Sequence, residues 1–288
     1  DKFSEAAGEL LARIIECDCS GCPADKELLL AIQHADQSSQ VAIEEQRIRV
    51  EQLKEVLANC DDPASKRLAT LADYLVKKSV WCVGGDGWAY DIGYGGLDHV
   101  IATDKNVNLL VLDTEVYSNT GGQASKSTPL GAVAQFAAGG KNMPKKDLGL
   151  MAMSYGTAYV ASVSLSNPAQ AIKAFKEAEA FDGPSIIIAY AHCVAHGIDM
   201  TKGIDAQKKA VACGHWPLYR YNPERAGQNL NPLQLDSKAP TISFEAFAAT
   251  QNRFRALNKV NPDAAEELIE RANAWALRRF ALYEKLAN

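Results

Sequence analysis

The sequence lacks the features that mark membrane proteins and nucleic-acid-binding proteins. Its 288 residues carry a formal net charge of −5 with no basic block, so nothing favours a nucleic-acid or membrane-surface partner. No apolar run approaches the roughly 18 residues of a transmembrane helix, and the opening DKFSEAAGELLARIIE lacks the regions of a signal peptide. We therefore expect a cytoplasmic protein. Because the first residue is Asp and leads directly into an amphipathic pattern, we also expect this N-terminus to be a cut.

A disulfide framework and a dinucleotide-binding fingerprint are also missing. The seven cysteines are odd in number and scattered, so reduced thiols or metal ligands fit better than a set of disulfide bonds. No G-x-G-x-x-G motif follows a predicted strand with an acidic residue about 20 positions later. This argues against an NAD-binding Rossmann domain.

The period of the apolar residues changes near residue 78. Residues 1–77 are rich in helix-forming residues, with apolar side chains at helical intervals such as Leu53, Val56 and Leu57. Short apolar runs bounded by turn-forming residues then predict strands at 79–85, 107–113, 158–165 and 184–191. Between the last two, a helix is predicted to begin at Asn167-Pro168, with Ile172, Phe175 and Ala178 on one face.

Strands that alternate with helices predict an α/β fold, in which a mostly parallel sheet has helices on both faces. We expect three regions: a helical lead-in at 1–77 packed on the core, an α/β core at 78–215, and an irregular then helical C-terminal extension at 216–288. Ligands of such sheets bind at the carboxyl ends of the strands.

The first predicted strand ends in the glycine-rich stretch GDGWAYDIGYGG (85–96). Taken alone, Gly-Asp-Gly is a tight turn. The carboxylate of Asp86 also suits a hard cation, and Asp91 is a candidate cap for the helix that follows. Glycines at 93, 95 and 96 disfavour a helix by roughly 1 kcal/mol each relative to alanine, so close approach of a diphosphate to the backbone is a reason to have them.

A second polar segment follows the next predicted strand, DTEVYSNTGGQ (113–123). Parallel strands bring their carboxyl ends to one edge of the sheet, so this segment is expected to lie beside Asp86. Mg²⁺ prefers near-octahedral oxygen ligands and usually combines one or two protein groups with substrate phosphates. Asp86, the Thr114 hydroxyl and the Val116 carbonyl are candidates for three of these positions.

At these residues the sequence resembles a known family. Gly-Asp-Gly followed by a polar ligand resembles the thiamine diphosphate fingerprint, in which an Asn usually stands where this chain has Thr114. The segments GDGWAYDIGYGGLDHV (85–100) and DTEVYSNTGGQASKSTPLGAVAQFAAGGK (113–141) resemble the C-terminal thiamine-binding domain of pyruvate:ferredoxin (flavodoxin) oxidoreductase. In that family Thr takes this place. The resemblance runs from about residue 78 to 197 and continues more weakly to the end.

The resemblance implies the fold, the cofactors and the site residues. The fold is the thiamine diphosphate-binding fold, with Mg²⁺ on Asp86, Thr114 and Val116 and with Asn119 as the catalytic residue beside the thiazolium and the reacting carbonyl. The implied cofactor-binding residues are Gly85, Asp86, Gly87, Trp88, Thr114, Val116, Asn119 and Thr120. On the residues alone Cys193 is a packed thiol, but the motif AYAHCVAHGI (189–198) resembles the one that supplies a ligand to a [4Fe-4S] cluster, whose other ligands lie upstream of this chain.

The implied activity is the oxidative decarboxylation of pyruvate to acetyl-CoA, with electrons passed through iron–sulfur clusters to ferredoxin or flavodoxin. Implied partners are the remaining domains of the full-length enzyme, pyruvate, coenzyme A and a second copy of the chain in a homodimer. Because the upstream cluster ligands and the acid that activates the cofactor are absent from these residues, we expect the chain to be inactive alone. The alternatives are another 2-oxoacid:ferredoxin oxidoreductase and a non-catalytic scaffold.

Several other residues stay open. Cys17, Cys19 and Cys22 are close enough in sequence to share a metal, but an incidental reduced-cysteine turn explains them as well. His192 and His196 are undecided. Cys60, Cys82 and Cys213 are expected to be buried or incidental thiols. Trp81, Tyr94 and Trp216 are expected in the core or at interfaces rather than in contact with a cofactor. Lys126 and Lys141, near the second motif, are candidates to steer an anion, but we expect them to be ordinary surface lysines.

Overall fold

The computed structural model of the chain describes residues 2–17 and 25–288, which fall into two compact units, Asp1–Lys78 and Ser79–Asn288. The first unit is helical, as predicted. Its helices are α1 (Lys2–Cys17), α2 (Lys26–Gln33), α3 (Gln40–Leu57) and α4 (Pro63–Leu71), with a 3-10 turn at Ala72–Leu75. The packing of residues 1–77 on the core stays a prediction.

Local sequence explains where the helices of the first unit begin. The side chains of Asp25, Ser39 and Asp62 accept hydrogen bonds from backbone N–H groups in the first turns of α2, α3 and α4, which satisfies donors that the helix itself cannot. The predicted helical spacing is confirmed at Leu53 and Leu57, which are both buried in the core of this unit. Among the described residues, no helix combines the length and apolar character needed to cross a membrane.

The second unit is built on a single mixed sheet. Its strands are β1 (Trp81–Gly85), β2 (Asn108–Asp113), β3 (Tyr159–Ser164), β4 (Ser185–Tyr190), β5 (Tyr219–Tyr221) and β6 (Leu233–Leu235), in the order β1-β2-β4-β3-β5-β6. The first four are parallel, and β5 and β6 pair antiparallel at one edge. The predicted mostly parallel α/β sheet is confirmed.

Helices lie along the chain between and after these strands. They are a π-helical turn (Gly87–Ile92), α5 (Tyr94–Ile101), α6 (Leu148–Met153), α7 (Pro168–Ala180), α8 (Gly203–Ala212), α9 (Phe244–Ala248), α10 (Asn252–Arg255), α11 (Leu257–Val260) and α12 (Pro262–Ala287). Short 3-10 turns occupy Val194–His196, Met200–Lys202 and Pro223–Gln228. Alternate residues of β3 and β4 enter two different apolar clusters, so both faces of the sheet are covered.

The register of the parallel strands aligns their carboxyl ends. Gly85 pairs with Leu112, and Asp113 pairs with Tyr190. The segments that follow β1, β2 and β4 therefore emerge side by side at one edge of the sheet. That edge carries the predicted site.

Three local expectations are wrong. Ile172 is exposed, and α7 instead buries the smaller side chains of Ala171, Ala174 and Ala178, because alanines allow the helix to approach the sheet closely. Asp91 does not cap a helix, since the helical turn begins at Gly87, directly after Asp86. The region from 216 on is less irregular than expected, because it contributes β5 and β6.

Candidate functional site

A buried carboxylate lies at the end of β1. Asp86 is 1% exposed, and both of its oxygens accept hydrogen bonds, Oδ1 from the Thr114 hydroxyl at 2.9 Å and Oδ2 from the Ser125 hydroxyl at 2.6 Å. Burial and the negative charge of Asp113 raise the pKa of Asp86 to about 6, although the two hydroxyls and Lys145 act in the opposite direction. The surrounding positive charge and hydroxyl groups therefore do not fully stabilise the ionised form of Asp86.

Thr114 is the centre of a cluster of oxygen atoms. Its Oγ1 lies 2.9 Å from Asp86 Oδ1, 2.9 Å from the Val116 carbonyl oxygen and 2.7 Å from Ser118 Oγ. A threonine hydroxyl has a single hydrogen, so it can serve only one of the two acceptors, Asp86 or Val116. The Ser118 hydroxyl is 3.4 Å from the Val116 carbonyl, which is long for an O–H···O bond. The cluster has more acceptor oxygens than hydrogens.

The spacing of these oxygens fits a magnesium ion. Mg²⁺ binds oxygen ligands at about 2.1 Å in an octahedron, in which adjacent ligands are about 3.0 Å apart. Thr114 Oγ1 lies 2.9 Å from both Asp86 Oδ1 and the Val116 carbonyl, so each of these two oxygens fits a position adjacent to Thr114 Oγ1 in an octahedron. Among the described residues there is no group of three or more His, Cys, Asp or Glu side chains placed to hold a metal ion. The cluster instead combines one carboxylate with a hydroxyl and a main-chain carbonyl.

Ring packing explains two of the glycines in the first motif. A Cβ on Gly87 would lie 2.2 Å from the Tyr117 ring, and a Cβ on Gly93 would lie 2.2 Å from the Trp88 indole. No ligand is needed to account for either position. The other three glycines differ, since a Cβ there would meet nothing within 4 Å: Gly85, Gly95 and Gly96. Close approach of a ligand remains a prediction at Gly85, next to Asp86.

The loop after β2 carries the other predicted site residues. The Tyr117 N–H donates to the Gln123 carbonyl at 2.9 Å, and the Gly122 N–H donates to the Tyr117 carbonyl at 2.8 Å. The Thr120 hydroxyl donates to Gln123 Oε1 at 2.7 Å. These bonds close a compact loop in which Asn119 and Thr120 are exposed.

Cys193 lies beside this loop because β4 neighbours β2 in the sheet. The thiol is 7% exposed, its Sγ lies 3.4 Å from Ser118 Oγ, and the Ala195 N–H donates to Sγ at 3.4 Å. The hypothesis that Cys17, Cys19 and Cys22 share a metal stays open. Cys19 and Cys22 lie outside the described residues, and only the backbone of Cys17 is described.

Hydrogen bonds settle the placement of both undecided histidines. His196 Nε2 donates to the Thr114 carbonyl at 2.6 Å, while its Nδ1 accepts from the Cys193 N–H at 3.4 Å. Burial and the positive charge of Arg253 lower the pKa of His196 to about 3, so the ring is neutral and links the two loops. His192 Nδ1 contacts the Gln207 amide at 2.9 Å, away from this cluster.

The two lysines differ in their surroundings. Lys126 is exposed and pairs with Asp91 at 2.8 Å, as expected for a surface lysine. Lys141 is partly buried, and its Nζ donates to the carbonyls of Ser125 at 2.8 Å and Thr128 at 2.6 Å. The surface expectation is therefore wrong for Lys141, which fastens the segment that carries Ser125.

The sequence analysis also missed a buried ionic network beneath the loop. Lys145 Nζ lies 2.6 Å from Asp113, and Glu115 is paired with both Arg253 at 2.7 Å and His215 at 2.9 Å. One signal was available. Two acidic residues, Asp113 and Glu115, stand at the end of the apolar run of β2 and two residues later, where the chain is buried and an unpaired charge is too costly to occur.

The sequence is similar to that of several known proteins. Residues 68–189 match the family described as thiamine pyrophosphate enzyme, C-terminal TPP binding domain. Pyruvate-flavodoxin oxidoreductases of Nostoc sp. and Trichormus variabilis are 54% and 51% identical to the chain over all of its length, and a pyruvate:ferredoxin oxidoreductase of Moorella thermoacetica is 61% identical over 75% of it. The chain spans 24%, 24% and 18% of these three relatives.

Residues 68–189 are thus similar to the class of thiamine pyrophosphate-binding domains, and they include nearly all of the four parallel strands of the sheet described above. Within that class, the chain is related to one part of the pyruvate-flavodoxin and pyruvate:ferredoxin oxidoreductases, and the resemblance expected from the two glycine- and aspartate-containing motifs is confirmed.

Proposed function

We propose that this chain binds the diphosphate end of thiamine diphosphate through Mg²⁺ held by Asp86, Thr114 and the Val116 carbonyl. The observation that carries the proposal is the convergence of these three oxygens at 2.9 Å spacing around Thr114 Oγ1, with too few hydrogens to satisfy them. The open space at Gly85 lets a bulky anion approach the adjacent backbone.

The wider activity follows from the relatives. We propose that the chain is one part of a cytoplasmic, homodimeric pyruvate:ferredoxin or pyruvate:flavodoxin oxidoreductase that forms acetyl-CoA from pyruvate and coenzyme A. Bound thiamine diphosphate supplies the electron sink for decarboxylation. The chain's own residues orient it: Ser125 holds the second oxygen of Asp86, Trp88 lines the turn that follows, and Asn119 and Thr120 form the exposed loop that faces the reacting group.

Cys193 is the residue that we assign to an iron–sulfur cluster. Its support is position, since Sγ lies 3.4 Å from Ser118, which in turn lies 2.7 Å from Thr114. A backbone N–H donates to the sulfur, as is usual for cluster thiolates. A [4Fe-4S] cluster needs four such ligands, and the described residues around Cys193 supply one. The resemblance implies that the remaining three come from sequence upstream of this chain, and we propose the same here.

Calorimetric titration of the 288-residue chain with thiamine diphosphate tests the metal site. We expect binding that depends on Mg²⁺ and that is lost in Asp86→Asn, which keeps the shape of the side chain but removes its charge. Asp104→Asn is the matched control, because Asp104 is exposed and its ion pair is with the neighbouring Lys105, at 3.4 Å. If the chain is a scaffold that binds no cofactor, the titration will give no Mg²⁺-dependent heat. If Asp86→Asn binds with unchanged affinity, Asp86 is not a ligand of the metal.

A further inference from the structure

The residue between the two proposed loop ligands has an unusual backbone. Glu115, which separates Thr114 from Val116, has a φ of 59°, in the left-handed region that residues with a Cβ rarely adopt. Two residues of extended strand would advance the chain by about 6.6 Å. The left-handed turn instead brings Thr114 Oγ1 to 2.9 Å from the Val116 carbonyl oxygen. The geometry of the oxygen cluster therefore depends on the conformation of Glu115.

Both backbone groups of Glu115 are held. Its N–H donates to Asp113 Oδ1 at 2.9 Å, and its carbonyl accepts from the Thr128 hydroxyl at 2.7 Å. The preceding carbonyl, that of Thr114, accepts from His196 at 2.6 Å. A backbone in a sparsely populated region persists only where its surroundings over-determine it, and here each polar group has a partner.

The side chain of Glu115 is the strongest of these restraints. It is fully buried. Oε2 accepts from Arg253 Nη2 at 2.7 Å, while Oε1 lies 2.9 Å from His215 Nε2 and 3.5 Å from Lys145 Nζ. Burial alone would raise the pKa of Glu115, but the charges of these three partners hold it well below its ordinary value. The carboxylate is thus ionised and bonded on both oxygens.

The partners come from distant parts of the chain. His215 follows α8 and Arg253 lies in α10, and Arg253 also accepts a backbone hydrogen bond from Val133 at 2.8 Å through its carbonyl. His215 and the C-terminal region that contains Arg253 therefore hold the loop after β2, a contact that the sequence pattern did not predict.

We propose that Glu115 is a positioning residue of the metal site. Its ion pairs with Arg253 and His215 hold the left-handed turn, and this turn directs the Thr114 hydroxyl and the Val116 carbonyl at one cation. This inference rests on the proposed function. It predicts selectivity as well as affinity, because Mg²⁺ requires a rigid, near-ideal octahedron whereas Ca²⁺ accepts a looser one at longer distances. Weakening the ion pairs of Glu115 should therefore lower the affinity supported by Mg²⁺ more than the affinity supported by Ca²⁺.

The test compares two buried arginines. Arg253→Lys keeps the charge but loses the planar guanidinium that meets Glu115, whereas Arg220→Lys makes the same change at a buried arginine on β5 that pairs with Asp236 at 2.9 Å and Glu177 at 2.6 Å. Glycine adopts the left-handed conformation without strain. Glu115→Gly therefore removes the side-chain ion pairs without adding backbone strain, and its effect reports the side chain alone.

Two readouts are measured on the 288-residue chain. The first is amide hydrogen exchange of residues 113–123 without metal, and the second is the ratio of thiamine diphosphate affinities supported by Mg²⁺ and by Ca²⁺. We expect Arg253→Lys to speed exchange in this segment at least tenfold and to lower the Mg²⁺/Ca²⁺ ratio at least threefold. Glu115→Gly, where it folds, should exceed both changes, and Arg220→Lys should leave both near the unchanged chain.

The outcomes separate the inference from the proposed function. An unchanged ratio in Arg253→Lys overturns the positioning role, even if exchange rises, because faster exchange alone is a merely structural effect. A Glu115→Gly chain with the original ratio also overturns it, since the side-chain anchor would then be dispensable. Absence of any metal-dependent binding by the unchanged chain overturns the proposed function and this inference together.

Discussion

Asp86→Asn should stabilise the fold while it destroys the proposed site. In the metal-free chain the carboxylate of Asp86 is almost fully buried, lies near Asp113 and receives hydrogen bonds only from hydroxyls. Its charge is therefore a cost to the folded state when no cation is bound. Asparagine fills the same volume without that charge, and its amide oxygen can still accept from Ser125 or Thr114.

The magnitude follows from the pKa of Asp86, which rises from 3.8 to about 6 on folding. A shift of about 2 units corresponds to about 3 kcal/mol, at about 1.4 kcal/mol per unit. The folded state binds the proton more tightly than the unfolded state, so the stability that this group contributes is present below pH 4 and is lost as the pH rises through 6. The free energy of unfolding of Asp86→Asn should therefore exceed that of the unchanged chain by an amount that grows between pH 4 and 6. This difference should reach about 1–3 kcal/mol, because the amide forms weaker hydrogen bonds than the carboxylate.

Urea unfolding in EDTA, followed by tryptophan fluorescence, measures this difference. All four tryptophans lie in the second unit, Ser79–Asn288, so the signal reports the unit that contains Asp86. Asp104→Asn is again the control and should stay within about 0.5 kcal/mol of the unchanged chain. Adding Mg²⁺ and thiamine diphosphate at 100 times the dissociation constant should stabilise the unchanged chain and Asp104→Asn by about 2.7 kcal/mol, and should not stabilise Asp86→Asn. A stability difference that does not grow with pH, or that favours the unchanged chain in EDTA, would refute the reasoning.

Further predictions concern neighbouring positions. Thr114→Val, which keeps the branched shape but removes the hydroxyl, should weaken Mg²⁺-dependent binding of thiamine diphosphate at least tenfold by calorimetry. Gly87→Ala should destabilise the second unit by about 1–3 kcal/mol in urea, because its Cβ would lie 2.2 Å from the Tyr117 ring. Gly95→Ala, in α5 with nothing within 4 Å, should stabilise it by about 0.5–1 kcal/mol. The 288-residue chain supplied with pyruvate, coenzyme A, Mg²⁺ and thiamine diphosphate should reduce neither ferredoxin nor flavodoxin, and sustained reduction would contradict the partial-site proposal.

The sequence was sufficient for the features that local pattern and chain order determine. The four parallel strands appear as short apolar runs, and three of them, β2, β3 and β4, are largely buried, as expected where helices cover both faces of a sheet. The adjacency of the segments after β1 and β2 was predictable because both strands belong to one parallel sheet and end in polar turns. That adjacency brings Asp86 and Thr114 together, with their side-chain oxygens 2.9 Å apart.

Features that depend on three-dimensional packing were not predictable. The sheet places β4, not β3, next to β2, and only this order brings Cys193 beside Ser118. The strands β5 and β6 are three residues each, too short to show a period. A glycine in a sequence does not show whether a side chain or a ligand occupies the space beside it. The sequence therefore could not distinguish the ring packing at Gly87 and Gly93 from a ligand-binding position.

The position of the proposed metal site gives a reason for the buried ion pairs of Glu115. A cation site must present several oxygens to one point before the cation arrives, and in the metal-free chain these oxygens repel one another and lack hydrogens. Nothing in the loop after β2 compensates for that cost locally, because its ligands are a hydroxyl and a carbonyl. The compensation lies one residue away, where Glu115 turns inward to Arg253 and His215. Placing the restraint on the intervening residue fixes both neighbours at once, and it leaves their oxygens free for the ion.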